Sequence, residues 1–391
     1  MLTAQFENAI AIIEKIEANG YHAFFVGGAV RDYLLERPIH DIDIATTAPI
    51  DKLNDFFEHV IPVGLEHGTV IVRHESVSYE VTTFRGEIFP DVLQSLQADL
   101  SLRDFTMNAI AMDKTGTIYD YFDGQRDIHH KVIRAVDEPK ARLEEDPLRI
   151  LRAIRFVSEL SFTVEQRTMN MMTRLQSALK GTAKERLLQE WIKVLQGQYL
   201  SQAMYEIQKT NILAYLPVFQ DHPGIMNKML SQQTSFLSFA SFVTYFHYHE
   251  PRISISKWIK QWKASNQMKK EAIALYEAII YYEKHGINAI LLYELDETYI
   301  QSFTSLLEKI FTASHISEDS LRTKKAALPI QSRQDLQVTG HDLIRWFPAL
   351  QKGSWIREAI GEIERAILLG QLRNNKNEIK EWILCHPPDI D

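Results

Sequence analysis

Cysteine is nearly absent from this chain: Cys385 stands alone among 391 residues. One thiol cannot close an internal disulfide, so the expected compartment is a reducing cytoplasm. No stretch approaches the roughly 18 uninterrupted apolar residues of a membrane span. Glu7 and Glu14 interrupt the apolar start, and no basic flank precedes an apolar core, so this segment does not read as a signal peptide. The 14 histidines include no pair at metal-ligand spacing; His129-His130 and His247-Tyr248-His249 read as solvated positions. Internal repeats and low-complexity segments are also missing.

Basic charge is scarce where it would attract nucleic acid most simply. Residues 1–130 hold 9 Lys and Arg against 21 Asp and Glu, whereas residues 131–196 hold 13 against 9. The remainder balances at 21 against 21, within a total net charge of −8. Backbone phosphates would be drawn to the middle of the chain, not to its acidic start.

What is present is ordinary globular composition, 45% hydrophobic and 24% charged, at a length that calls for several domains. Residues 6–18 have helical spacing, and short β-prone runs follow at 21–26, 41–44, 69–73, 78–83 and 118–121. After residue 131 the strand signal fades. Apolar residues at a 3.6-residue period predict helices over 143–160, 164–177, 183–195, 200–210, 254–264, 269–285, 297–313, 340–346 and 355–369. The expected class is α+β: a small mixed-sheet head over 1–130, then an all-helical neck over 131–196, a body over 197–300 and a tail over 301–391.

The chemistry gathers in the first 160 residues. Phe25-Val-Gly-Gly-Ala-Val-Arg-Asp32 reads as strand, tight turn and helix start, where Gly27 and Gly28 admit a ligand close to the backbone. Arg31 can add a charge-assisted contact to phosphate. His40-Asp41-Ile-Asp43-Ile44 follows. Alternation along a strand puts Asp41 and Asp43 on one face, with Ile42 and Ile44 toward the core. Carboxylates that close repel, and a pair of Mg²⁺ ions is the usual relief, suited to phosphoryl transfer. Glu80, in the alternating run Tyr79-Glu-Val-Thr-Thr-Phe-Arg85, is placed as a third carboxylate, although an edge-protecting charge is the plain alternative. Ser101-Leu-Arg-Asp104 reads as the start of a helix, with Arg103 and Asp104 able to meet phosphate or ribose.

The segment Glu144-Glu-Asp-Pro-Leu-Arg-Ile-Leu-Arg-Ala-Ile-Arg-Phe156 says most. Asp146 suits an N-cap and Pro147 a first helical position. Arg149, Arg152 and Arg155 then recur every third residue on one face, opposite Ile150, Leu151, Ile154 and Val157. Asp146 can accept from an exocyclic amine while Arg149 donates to the neighbouring ring acceptor. Cytosine and adenine both fit that edge; guanine and uracil leave it mismatched. Arg152 and Arg155 are expected to remain available for triphosphate or RNA.

In this order the segments GGAVRD, DID, EVTTFR, RDFTMNA, DYFDGQRDI and EDPLRILRAIRF closely resemble the bacterial class II tRNA nucleotidyltransferases, the CCA-adding group of the polymerase-β superfamily. TGHDLI and ILLGQLRNNKNEIKEWIL resemble that family's tail. The resemblance implies that Gly28 and Arg31 bind nucleotide and that Asp41 and Asp43 hold Mg²⁺, with Glu80 as third carboxylate. It makes Arg103 a nucleotide contact and puts Asp104 near the ribose. Asp146, Arg149, Arg152 and Arg155 become the nucleotide-selecting helix. Its implied partners are CTP, ATP and tRNA, the last gripped by its acceptor and TΨC arms.

Two departures stand out. Leu102 precedes Arg103 where the family has two arginines, and the segment from Gly86 to Leu102 is short and lacks any Lys or Arg. The family's flexible basic loop is therefore expected to be missing. Among relatives that deletion marks CC-adding enzymes, which leave the terminal A to a separate A-adding enzyme. CC addition is thus the favoured expectation over full CCA addition. A poly(A) polymerase ranks lower, because Val60-Ile-Pro-Val-Gly-Leu-Glu-His-Gly68 lacks that group's basic motif. A non-catalytic RNA-binding protein is countered by the intact Asp41/Asp43 pair.

Overall fold

The computed structural model describes residues 4–39, 41–64, 68–74, 77–311 and 316–388. His40, and Leu65, Glu66 and His67 of the 60–68 segment, lie outside them, as does Ala313 at the expected end of one helix. The chain gathers into two compact units, Met1–Ser235 and Phe236–Asp391. Head and neck fall together in the first, and the division between the units lies inside the segment expected as body.

The first unit opens with helix α1 (Ala4–Ala18) and a seven-stranded sheet: β1 (Ala23–Val26), β2 (Asp43–Thr46), β3 (Val60–Gly64), β4 (Thr69–His74), β5 (Val77–Thr83), β6 (Ile110–Met112) and β7 (Ile118–Asp120). Its order is β3-β4-β5-β2-β1-β6-β7, and β2 with β5 is the parallel pair in an otherwise antiparallel ladder. The expected mixed sheet is there. The edge-adjacent β6 escaped notice because Ile110, Ala111 and Met112 are all buried, so no alternation marks them.

The strand expected at 41–44 starts later, at Asp43, and continues to Thr46. Alternation still holds where it matters, with Ile42 and Ile44 buried and Asp41 exposed. Helices α2 (Gly28–Leu34), α3 (Ile50–Phe56), α4 (Val92–Ser101) and α5 (Gly124–His130) flank the sheet. Ser101–Asp104 is thus the end of α4 and not the start of a helix; a single 3-10 turn, Thr106–Asn108, follows.

Beyond it come α6 (Pro139–Glu145), α7 (Leu148–Leu160), α8 (Gln166–Leu175), α9 (Lys184–Gln196) and α10 (Leu200–Thr210). The single helix expected over 143–160 is broken at Asp146-Pro147. Asp146 is extended at φ −141°, its Oδ1 accepts the Leu148 N–H at 3.2 Å, and Pro147 enters helical geometry at φ −59°. Ile150, Leu151, Ile154 and Val157 point into the core, as the apolar period requires. One strand pair was not anticipated: Val132–Ile133 runs parallel to Thr163–Val164. The motif Asp120–Ile128 is structural. Buried Asp127 accepts from Thr106 Oγ1 at 2.7 Å and Arg134 Nε at 2.9 Å.

The second unit is helical throughout its described residues. One cluster of its core includes Leu343, Ile363, Ile367 and Ile379, supplied mostly by the helices Gly340–Trp346, Trp355–Leu368 and Lys376–Cys385; Phe239, Phe242, Phe246, Trp258 and Trp262 are buried earlier in the unit. A capping box at Thr339 and Asp342 opens the first of these, and Lys376 Nζ closes on Asp342 Oδ1 at 2.6 Å.

Candidate functional site

All eleven candidate residues line one cavity of about 840 Å³ in the first unit. That is ample for a nucleoside triphosphate on the usual scale of ligand sites.

The sheet supplies its acids. Asp43 begins β2, between Val26 of β1 and Glu80 of β5 in the cross-strand registers. Parallel pairing of β2 with β5 therefore delivers Glu80 beside Asp43, with Asp41 just upstream. Because β5 lies inside the sheet, Glu80 is not an edge-protecting charge. Burial pushes the Asp43 carboxyl up to about 6, with Glu80 and Asp41 adding to the push and Arg103 and Arg31 opposing it.

Gly27 makes this crowding possible. Its φ of +70° suits glycine, and a Cβ there would lie 3.0 Å from Arg103 Nη1 and 3.5 Å from Asp43 Oδ2. Gly28 then opens α2, and Arg31 is aimed by its neighbours: Nε and Nη2 donate to Asp32 at 3.0 and 2.9 Å, and Nη1 donates to Asn108 at 2.8 Å.

The opposite wall is α7, and its guanidiniums are already engaged. Arg149 donates to Glu145 at 2.9 Å and to the carbonyls of Arg142 and Leu102 at 3.0 and 2.9 Å. Arg152 donates to Asp104 at 2.9 Å and to Glu190 of α9 at 3.2 Å; Arg155 reaches the same Glu190 at 3.1 Å. The expectation that Arg152 and Arg155 stand free is corrected. Nearly buried acids from distant segments claim them, since unpaired charge there would be costly.

Asp104 is likewise occupied. Burial alone would raise its pKa, but Arg152, the Asn108 amide and the Phe105 N–H hold it well below the usual carboxylate range. Asp146 and Arg149 flank the cavity with no bond between their side chains, although the Arg149 N–H donates to the Asp146 carbonyl at 3.0 Å; both Asp146 carboxylate oxygens meet Arg186, at 2.8 and 3.3 Å.

Several residues escaped the sequence reading: Asp32, Asn108, Arg186, Glu190 and Phe156. Phe156 is buried beneath the guanidiniums of Arg155, Arg31 and Arg152, which lie 4.4, 5.1 and 5.8 Å from its ring centroid. Spacing carries no signal for most of these, because they arrive from other elements.

Among the described residues no three His, Cys, Asp or Glu side chains form a ready-made metal cage. A hard cation such as Mg²⁺ does not require one. It takes one or two carboxylates and completes its shell with water and substrate phosphates, which the oxygen donors Asp41 and Asp43 fit.

Residues 23–134 match the family model for the poly A polymerase head domain. Residues 161–222 match a probable RNA- and SrmB-binding site of polymerase A, and residues 231–383 match a putative second domain of tRNA nucleotidyltransferases. The CCA-adding enzyme of Oceanobacillus iheyensis is 42% identical across all of both chains, and that of Anoxybacillus flavithermus is 36% identical over 98% of each. The solved CCA-adding enzyme of Bacillus stearothermophilus in complex with CTP superposes with a TM-score of 0.87, at 33% identity over 98% of each chain. A Thermotoga maritima CCA-adding enzyme complexed with tRNA shares the fold at 20% identity, with a TM-score of 0.63.

Head fold and carboxylate site, with these matches, define a nucleotidyltransferase. Its substrate class follows from its kin. The chain belongs to the CCA-adding enzyme family, the tRNA nucleotidyltransferases that work with a divalent metal.

Proposed function

We propose that this tRNA nucleotidyltransferase adds two cytidines from CTP to the 3′ end of tRNA and then stops, leaving the terminal A to a separate A-adding enzyme. One observation carries the stop: residues 84–91, which join β5 to α4, are short and tied down at several points. Phe84 N–H donates to the Thr46 carbonyl at 2.7 Å, Arg85 N–H to Asp99 Oδ1 at 2.9 Å and Phe89 N–H to Ser95 Oγ at 2.8 Å. In the family a flexible loop here levers the selecting helix from CTP to ATP. A connection anchored this way, with no basic residue beyond Arg85 before Arg103, has nothing with which to move α7.

Within that reading Mg²⁺ is the ion, held by Asp41 and Asp43 with Glu80 as third carboxylate. Bound there, it would offset charge at the attacked phosphate. Gly28, Arg31 and Arg103 receive the nucleotide, with Asp104 behind them on the ribose side. Asp146 and Arg149 read the base edge, and Arg152 and Arg155 stiffen the helix that presents them. Arg149 uses only part of its donor fork on the protein, and a carboxylate has lone pairs beyond those Arg186 takes, so both can still meet a base. CTP is supported by the Bacillus stearothermophilus relative, solved with that nucleotide. The four-part division into head, neck, body and tail belongs to the same proposal, the helical parts holding the acceptor and TΨC arms.

The cytoplasm is the proposed compartment, in keeping with the exposed, unpaired Cys385. No helix among the described residues is long and apolar enough to cross a membrane.

A second reading, full CCA addition from CTP and ATP, is favoured by the names of the relatives. One assay separates the two. A tRNA transcript lacking its 3′ end, given CTP and ATP together, gains two nucleotides and stops under the first reading. Efficient growth by a third, ATP-derived residue would establish the second.

A further inference from the structure

The C-terminal turn of α4 gathers arginines that no local sequence pattern connects. Asp99 is fully buried. Its Oδ2 accepts from Arg103 Nη2 at 3.1 Å, and its Oδ1 accepts the Arg85 N–H at 2.9 Å with Arg85 Nε 3.6 Å away. Two carbonyls at the same end accept from the helical segments beyond the head: Ser101 from Arg142 Nη1 at 3.3 Å and Leu102 from Arg149 Nη2 at 2.9 Å. A helix C-terminus carries the negative end of the backbone dipole, so it and the Asp99 carboxylate attract cations to one point. Of the four arginines, Arg85, Arg103 and Arg149 line the nucleotide cavity.

We infer that Asp99 is a positioning residue for nucleotide binding, acting through Arg103. Arg103 has little choice of place. Its Nη1 lies 3.0 Å from where a Gly27 Cβ would be, and Asp43 Oδ2 lies 3.5 Å from that same point. Two acids therefore compete for one guanidinium, Asp99 behind it and the metal-site Asp43 before it. Asp99 holds the fork back, so that Arg103 faces the cavity without capping Asp43. Through the Arg85 amide, the same carboxylate ties the short 84–91 connection to the helix end that also receives Arg149. This deepens the proposed site by naming what orients one of its arginines, and it rests on Arg103 being a nucleotide contact.

The test is initial-rate CTP incorporation into a tRNA lacking its 3′ end, using Asp99→Asn, Arg103→Ala and the double variant. Asn keeps the bond from the Arg85 amide and removes the charge. Asp99→Asn is expected to raise the KM for CTP about tenfold with a much smaller change in kcat, as loss of one charged hydrogen bond implies. In the Arg103→Ala background the same change is expected to add less than about twofold, because its route of action is gone. Arg103→Lys, which keeps the charge and loses the fork, should raise KM likewise and serves if Asp99→Asn does not fold. Full multiplication of the two effects in the double variant, or an unchanged KM in Asp99→Asn beside a raised one in Arg103→Ala, would overturn the inference. An unchanged KM in Arg103→Ala itself would instead remove Arg103 from the nucleotide site.

Discussion

The two walls of the cavity are built on opposite principles. On the sheet side, the carboxylates of Asp41, Asp43 and Glu80 accept no hydrogen bond from any described residue, and Asp43 holds its proton up to about pH 6, above the usual carboxylate range. On the α7 side every arginine is paired, with acids drawn from α4–β6, α6 and α9. The acids are left short of positive charge and so call for a cation. The arginines are held in place beforehand, so that meeting a nucleotide means sharing a partner and not searching for a conformation.

The largest effect should come from the unpaired side. Asp43→Ala, or Asp41→Ala, is expected to lower CTP incorporation by at least about a thousandfold while tRNA affinity stays within about twofold, because the proposed role of these groups is to hold metal and not RNA. Near-normal turnover in either variant would dissolve the contrast between the walls. Both quantities are accessible from a radiolabel incorporation assay and a filter-binding titration.

On the paired side, Asp146→Ala and Arg149→Ala should slow CTP incorporation by about ten- to a hundredfold and let UTP or GTP be misused. Single-nucleotide incorporation with each of the four triphosphates reads this directly. A slower enzyme with intact selectivity would move the pair from base reading to holding the neck together.

Arg152→Ala separates support from recognition. It leaves Asp104 without its cation and Glu190 with Arg155, both acids nearly buried, and should cost about 2–4 kcal/mol of stability in a denaturant titration. CTP binding should weaken while base preference stays as it was. A change in base preference would mean that α7 reads the base through more than Asp146 and Arg149.

The smallest effect is a pH signature of the unpaired side. Folding raises the Asp43 pKa to about 6 from an ordinary 3.8, so the folded chain holds that proton more tightly than the unfolded one. The resulting stabilisation is fully present below about pH 4 and is lost as pH rises through about 6. In metal-free buffer, wild type should therefore lose thermal stability relative to Asp43→Asn between pH 5 and pH 7, and added Mg²⁺ should restore it. A constant difference between the two proteins across that range would show that Asp43 is not under strain from its neighbours.

Much of this was open to reading along the chain. The apolar period placed the core face of α7, and the Asp-Pro step placed the cap at its start, because both depend on neighbours within a turn. The acids Asp41 and Asp43 were legible for the same reason, two residues apart where one strand begins, Asp43 opening β2 and Asp41 just before it. Glu80 was legible only as a possibility, since nothing local tells an interior strand from an edge. Ser101–Asp104 was misread as a helix start because the apolar row of α4 before it, Val92, Leu96 and Leu100, went unread, and the end of a helix resembles a beginning when its body is not recognised.

By itself, then, the sequence determined which residues could do the chemistry: acids at strand spacing, arginines at helix spacing, a glycine pair at a turn. These rest on short-range geometry, which repeats wherever the pattern occurs. Tertiary structure alone decided how they are held. Glu190 reaches Arg152 and Arg155 from α9, Asp104 reaches Arg152 from the head, and Asp99, four residues before its partner Arg103, also draws in Arg85 from just beyond β5. Such pairings answer the cost of burying charge, and that cost exists only once the chain has closed over the site.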